Sequence, residues 1–353
     1  MNITDIGFTD DLAAYMKENH LSDFSAGRVT QEHRERYVVS DGDKEYEAEI
    51  TGNLRFTAGS RADFPAVGDW IAMTVYDSDK AIIHEILPRK SVLERQAVGK
   101  PGEVQIISAN IDAAFIVQAI NHNFSINRLE RYLTICYSAG IEPVLVISKI
   151  DLSGENEVQD VISHLEKRER RITCIPLSNM TLQGLDQVLD FIQKGRTYCV
   201  IGSSGAGKST LINNLLKKNI LKTGHISLST NKGRHVTDHR ELFVLENGGI
   251  IIDTPGMREV GITDSANGLE ITFDTILSLA EKCRFKDCTH TNEVGCSVIA
   301  AVNNGEIDKS FYENYLRLQR ENAHYESTVA EKRKKERVFG KLLKNYHKDI
   351  NKE

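Results

Sequence analysis

The sequence predicts a multidomain α/β protein in three successive parts. Short β-branched and aromatic runs crowd residues 28–96. From about residue 106, apolar runs alternate with amphipathic stretches, and beyond about 270 the pattern turns helical around a cluster of cysteines and a histidine. At 353 residues the chain has room for two or three domains. With 40% hydrophobic and 27% charged residues, it has the composition of neither a disordered nor a fibrous chain. No run reaches the roughly 18 apolar residues of a membrane span. The N-terminus, MNITDIGFTDDLAAYMKENH, is polar and acidic, whereas a secretory signal is basic and then apolar. The expectation is a cytoplasmic protein without membrane contact.

Residues 11–19 have the pattern of a short helix. RERYVVS (34–40), KEYEAEIT (44–51), DWIAMTVY (69–76) and KAIIHEIL (80–87) read as strands, separated by DGD, the stretch 52–68 and YDSD. Short strands at this spacing predict a small barrel or sandwich. Next come strand AAFIVQAI and helix NRLERYLTICYSAG, strand PVLVIS and helix VQDVISHLEKR, strand ITCIPLS and helix LQGLDQVLDFIQK, then strand TYCVIG and helix KSTLINNLLKK. That alternation predicts a mainly parallel sheet with helices on both faces. GGIIIDTPG adds one more buried strand. Predicted domains span 1–105, 106–268 and 269–353.

Charge is unevenly spread. The whole chain is −6, yet residues 315–353 carry 11 Lys/Arg against 6 Asp/Glu, a net +5, which leaves −11 for the rest. A basic tail on an acidic body suits a localised contact with an anionic partner and excludes a wholesale nucleic-acid coat.

Gly202, Ser203, Ser204, Gly205, Ala206, Gly207, Lys208 and Ser209 fit G-x-x-x-x-G-K-S, with Thr210 following, between an apolar strand and an amphipathic helix. Glycines let the backbone wrap phosphates with its N–H groups. Lys208 can reach the β and γ phosphates, and the Ser209 hydroxyl can ligate Mg²⁺. Asp253 ends the apolar run IIID253, where a carboxylate can hold Mg²⁺, and Gly256 of the same D-T-P-G can offer an N–H to the γ-phosphate.

Ser148, Lys149, Ile150 and Asp151 resemble the N-K-x-D or T-K-x-D guanine reader. Asp151 accepts from guanine N1–H and the exocyclic amine, a pair adenine does not present. The Lys149 stem can lie over the base. Ser148 replaces the usual Asn or Thr and keeps at most one hydrogen bond. Ser178, with Asn179, stands where a backbone N–H meets guanine O6. The order is reversed: in an ordinary GTPase the phosphate loop comes first, whereas here the base reader (148–151) precedes it. The parts are those of a GTPase whose chain begins elsewhere, a circular permutation.

Cys283, Cys288, His290 and Cys296 supply three thiolates and one imidazole within 14 residues. That set suits one closed, structural, tetrahedral Zn²⁺, and in a reducing cytosol clustered cysteines favour metal over disulfide. Cys136, Cys174 and Cys199 stand singly in apolar surroundings and read as core thiols.

Together these features resemble the circularly permuted, ribosome-small-subunit-dependent GTPase family (RsgA). VGDW, LPRKS, ANIDAAFIVQAI, INRLERYL, the permuted motifs and CRFKDCTHTNEVGCSV carry the resemblance over nearly the whole chain. The resemblance implies an N-terminal OB-like β-barrel, a central circularly permuted P-loop GTPase and a C-terminal helical zinc-binding domain. It implies a monomer that binds the 30S subunit and its 16S rRNA in late maturation, hydrolysing GTP to GDP with stimulation by the subunit. Residues 233–239 are where switch I must fall. Thr237 is assigned to sense Mg²⁺ and γ-phosphate, since Val236 replaces the family's usual Thr. Met257 follows DTPG and cannot orient water, so His235 is the candidate catalytic group beside Lys208 and Thr237. Gly205 replaces the Asn of potassium-dependent relatives and lends no support to a potassium requirement.

The tail EKRKKERVFGKLLKN, with seven Lys/Arg, and Arg55 and Arg61 in the loop 52–66 are the candidate RNA contacts. The competing class is an RNA-binding assembly module whose nucleotide site is structural. Intact Lys208, Ser209, Asp253 and Asp151 argue against it, and Asp151 also argues against a P-loop ATPase or kinase.

Overall fold

A computed structural model describes residues 2–33, 36–96, 103–121, 124–168, 172–221, 240–254 and 266–350, with the side chains of 166, 167, 330, 332, 333 and 335–350 outside that description. The chain divides into two compact units, residues 1–94 with 106–260 and residues 95–105 with 261–353.

The first unit opens with helix α1 (Asp10–Glu18) and strands β1 (Ser25–His33), β2 (Arg36–Ser40) and β3 (Glu45–Ile50). In β3 every second residue is buried: Tyr46, Ala48 and Ile50 face inward and Glu45, Glu47 and Glu49 face water, the period of a half-buried strand. Helix α2 (Gly52–Thr57) follows, capped by Thr51, whose Oγ1 accepts from Leu54 N at 3.2 Å. The loop expected over 52–66 is therefore partly helical. Strands β4 (Trp70–Asp77) and β5 (Lys80–Ile86) complete a closed ring, β1–β2–β3–β5–β4–β1, in which only β3–β5 is parallel. This is a five-stranded barrel of OB type around Val29, Val39, Tyr46, Ile71, Met73 and Ile83.

Strands β6 (Val92–Gln96) and β7 (Val104–Ala109) pair as a two-stranded ribbon. The α/β part follows as β8 (Ala113–Ala119), α3 (Ile126–Ser138), β9 (Glu142–Ser148), α4 (Glu155–Arg168), β10 (Thr173–Leu177), α5 (Leu185–Phe191), β11 (Thr197–Gly202), α6 (Lys208–Leu216), β12 (Glu241–Val244) and β13 (Ile250–Asp253). The strand order β10–β9–β8–β11–β13 is parallel throughout, and β12 adds antiparallel to β13. All of β8 is buried, and its residues divide by parity. Ala114 and Ile116 pack with Leu129, Tyr132 and Leu133 of α3, whereas Phe115 and Val117 pack with Val188 of α5 and Leu211 of α6. This is the two-faced burial that near-continuous apolar strands predict.

The barrel and the α/β sheet are joined. Strand β12, absent from the sequence reading, pairs at Glu241 with Gln31 of β1, whose amide donates to Glu241 Oε1 at 2.7 Å. Arg28 of β1 is fully buried. It donates to Ile6 O at 2.5 Å, Gly68 O at 3.3 Å and Thr197 Oγ1 at 2.8 Å, and stacks over Trp70 with its guanidinium 5.2 Å from the ring centroid. Burial lowers its pKa to about 10, so it stays charged at neutral pH within this cage of acceptors.

The second unit contains α7 (Ala266–Thr272), α8 (Asp274–Ala280), α9 (Ser297–Asn303) and α10 (Lys309–Ile350). Its small core centres on Phe273, whose ring lies 4.8 Å from Phe311 and 5.4 Å from Tyr315. Among the described residues, no helix is long and apolar enough to cross a membrane.

Candidate functional site

Four chain segments converge at the C-terminal ends of the parallel strands, where open α/β sheets place their ligand crevices. Strand β11 ends at Gly202, in register with Val117 of β8. Its φ is +140°, and a Cβ there would stand 2.2 Å from Val117 O, so no side chain fits. Gly207 (φ +98°) caps α6, which starts at Lys208. The loop therefore runs into a helix N-terminus, a ready anion site. Lys208 Nζ donates to Gly202 O and Ser203 O, both at 2.8 Å, and so lies folded over the loop. Ser203 and Ala206 complete its wall, Ser204 and Gly205 are exposed at its tip, and Ser209 and Thr210 lie half-buried in the first turn of α6.

Asp253, at the end of β13, pairs in register with Val200 of β11. It is buried, and burial pushes its carboxyl up to about 6 against the pull of the Lys208 ammonium, with Glu241 pushing the same way as burial. Thr254 Oγ1 donates to Val200 O at 2.9 Å, which locks the strand end. Ser209 and Asp253 give the oxygen donors that a magnesium ion prefers.

Ser148, Lys149, Ile150 and Asp151 come from the end of β9 and the turn after it. Ser148 is fully buried, and its Oγ donates to Ala206 O at 2.5 Å. Lys149 adopts a left-handed backbone (φ +63°) and turns the chain into a single 3₁₀ turn, Ile150–Leu152. Ile150 is buried beneath that turn and Asp151 is exposed on it. After β10, Ser178 Oγ donates to Asp151 Oδ1 at 2.6 Å, while Met180 N and Thr181 N donate to Ser178 Oγ. The structure thus brings Ser148, Asp151, Ser178 and the phosphate loop together. Thr237, His235 and Gly256, with Val236 and Met257, lie outside the described residues. The sequence reading missed Asn214 and gave Asn179 no side-chain role: Asn179 Nδ2 donates to Gly207 O at 3.1 Å, and Asn214 Nδ2 donates to Asn179 O and Oδ1 at 3.1 and 3.2 Å. Asn214 belongs to no motif, and Asn179 enters only as the neighbour of Ser178, so only their polarity hints at a side-chain role.

In the second unit, one ligand atom from each of Cys283, Cys288, His290 and Cys296 lies within 4.8 Å of the others. His290 Nδ1 is 3.6 Å from Cys283 Sγ and 3.5 Å from Cys296 Sγ, and those sulfurs are 3.9 Å apart. Tetrahedral metal–sulfur bonds of about 2.3 Å separate two sulfurs by roughly 3.8 Å, so the donor set fits a metal ion. Burial lowers the pKa of His290, keeping the imidazole neutral as a ligand must be. Around the cluster, the Glu293 carboxylate accepts from the Thr289 hydroxyl and N–H and from Thr291 N and Asn292 N; led by the Thr289 bonds, these hold its pKa down at about 2. Tyr312 OH donates to His290 O at 2.5 Å and ties the loop to α10.

A family model described as RsgA GTPase matches residues 86–263. A Bacteroides thetaiotaomicron protein named small ribosomal subunit biogenesis GTPase RsgA 1 is 39% identical, covering 98% of this chain and 97% of its own. The chain belongs to the RsgA GTPase family. Lactiplantibacillus plantarum small ribosomal subunit biogenesis GTPase RsgA 2 is 42% identical over 92% of this chain and 93% of its own. Among solved structures, YjeQ from Thermotoga maritima superposes with a TM-score of 0.61 at 25% identity, covering 83% of this chain and 96% of that one. YloQ, titled a circularly permuted GTPase, gives 0.61 at 23% identity over 86% and 96%, a likeness of fold. As an RsgA family member the chain is a GTP hydrolase, with the fold of a circularly permuted GTPase.

Proposed function

We propose that this chain docks on the small (30S) ribosomal subunit, contacts its 16S rRNA and acts in late subunit maturation, with GTP hydrolysis stimulated by the subunit. The observation that carries the nucleotide part is the direct bond from Ser148 to the carbonyl of Ala206, which supports reading 148–151 and 202–209 as parts of one nucleotide site. The names of the relatives support the ribosomal part. In this reading the loop N–H groups of 203–209 hold the phosphates, Lys208 neutralises their charge, and Asp151 accepts from guanine while Ser178 steadies it. Ser209 and Asp253, with Thr237, would hold Mg²⁺, which when bound neutralises charge on the β and γ phosphates. His235 would orient water. Cys283, Cys288, His290 and Cys296 would hold one structural Zn²⁺. We also propose a cytoplasmic monomer with domains at 1–105, 106–268 and 269–353.

The test is GTP turnover with and without purified small subunits, for the wild type and Lys208→Ala. Lys208 serves ground and transition states alike, so its loss lowers nucleotide binding and turnover together. Subunits that leave wild-type turnover unchanged would refute stimulation by the small subunit.

A further inference from the structure

Two consecutive carbonyls of the phosphate loop are held from outside the loop by side chains of different segments. Ala206 O accepts from Ser148 at the end of β9, and Gly207 O accepts from Asn179 after β10. The Asn179 amide is oriented: Asn214 donates to its oxygen, so its nitrogen is the atom left to face Gly207. Gly207 is packed beneath it, and a Cβ there would stand 2.8 Å from Asn179 Nδ2.

In a planar trans peptide the C=O and N–H point in opposite directions. Holding Ala206 O toward Ser148 therefore turns the Gly207 N–H the other way, and holding Gly207 O toward Asn179 turns the Lys208 N–H the other way. These are N–H groups of the cradle. A serine at 148 has one hydroxyl hydrogen and gives it to Ala206, so it has no donor for Gly207. An asparagine at 148, the usual residue of the reader motif, has two amide hydrogens on a longer arm.

We propose that Asn179 is a positioning residue of the nucleotide site: with Ser148 it supplies, from the neighbouring loop, two donors to the phosphate-loop carbonyls, which a single asparagine at 148, with its two amide hydrogens, could supply alone. The proposal rests on the guanine-nucleotide reading above. It has a further consequence. Ser178, the adjacent residue, holds Asp151, so the loop that steadies the base reader also aims the phosphate cradle.

The experiment is titration of the full chain with fluorescent mant-GDP and mant-ADP. Removing one ordinary hydrogen bond corresponds to roughly tenfold in affinity, and Asn179→Ala is expected to weaken mant-GDP by about that factor. Asn179→Asp keeps the size and the Asn214 contact but replaces the donor with an acceptor, and it is expected to lose as much. The decisive arm is rescue: Ser148→Asn combined with Asn179→Ala recovers most of the lost affinity, which a merely structural asparagine would not allow. Wild-type affinity in both Asn179 variants, or a double variant no better than Asn179→Ala, overturns the proposal while leaving the guanine reading standing. A wild type that binds mant-ADP as well as mant-GDP overturns that reading, and this proposal with it.

Discussion

The glycine-rich loop and the Cys/His loop are both proposed ion sites, and they are built by opposite means. The cradle draws on residues 148–151, 178–179, 202–210 and 253–254, segments fixed side by side by five parallel strands and by bonds from Ser148, Asn179 and Thr254. Its binding groups are largely backbone, already aimed. The Cys/His loop spans 14 residues, its donors are side chains, and its internal support includes the hydrogen bonds around Glu293, one from Arg284 N to Gly295 O at 3.1 Å and one from Cys288 N to Phe285 O at 3.4 Å. A site made by a sheet is preorganised before its ligand arrives. A site made by a loop borrows its rigidity from the ligand.

The sharpest way to break this contrast is to remove the metal. About 10–16 kcal/mol of apparent binding free energy attends a structural zinc. Cys288→Ser is expected to lose the metal, one ion per chain in the wild type by elemental analysis, and to leave 266–334 open to limited proteolysis while guanine-nucleotide affinity holds. Nucleotide binding that collapses with the metal would refute the independence of the two sites.

The next effect concerns what preorganisation costs. Asp253 has a pKa of about 6 in the fold against 3.8 for an ordinary aspartate, because it is buried. Between pH 4 and 6 the folded chain holds a proton that the unfolded chain releases, so stability falls as pH rises through that window and then levels off. Two pKa units amount to about 3 kcal/mol. Asp253→Asn is therefore expected to be more stable than wild type by about 2–3 kcal/mol in urea at pH 7.5 without nucleotide or metal. It is expected to match wild type near pH 4 and to lose GTP turnover. Equal stability at pH 7.5 would show that the carboxylate is not strained by its burial.

The smallest effect tests base reading. Asp151→Asn loses a charge-assisted pair worth about 1.5–3 kcal/mol. GTP should weaken accordingly and xanthosine triphosphate should gain, since the amide can donate to the 2-oxo group. Competition titration measures both, and unchanged GTP affinity would move the reader elsewhere.

Much of this was legible beforehand where a pattern is local. The buried strand β8, the glycines around Lys208 and the cysteine spacing each follow from neighbours in sequence. Strand β1 was not legible as a continuous strand, because SAGRVTQEH carries Gly27 and a buried Arg28 whose partners, Ile6, Gly68 and Thr197, are remote in the chain. Helix α2 has the sequence of a loop, since six residues with a glycine first and a threonine last carry little helical periodicity and depend on the Thr51 cap.

The sequence by itself determined the order of motifs, the glycine-rich loop between strand and helix, and the Cys/His cluster, because each is a chemical type at a fixed short spacing. Only the tertiary structure decided the parallel β3–β5 closure of the barrel, the insertion of β12 between β1 and β13, and the clamp of Ser148 and Asn179 on Ala206 and Gly207. The physical reason is that these depend on register between distant strands. A hydrogen bond joining residues 58 or 28 positions apart leaves no mark on the residues beside it.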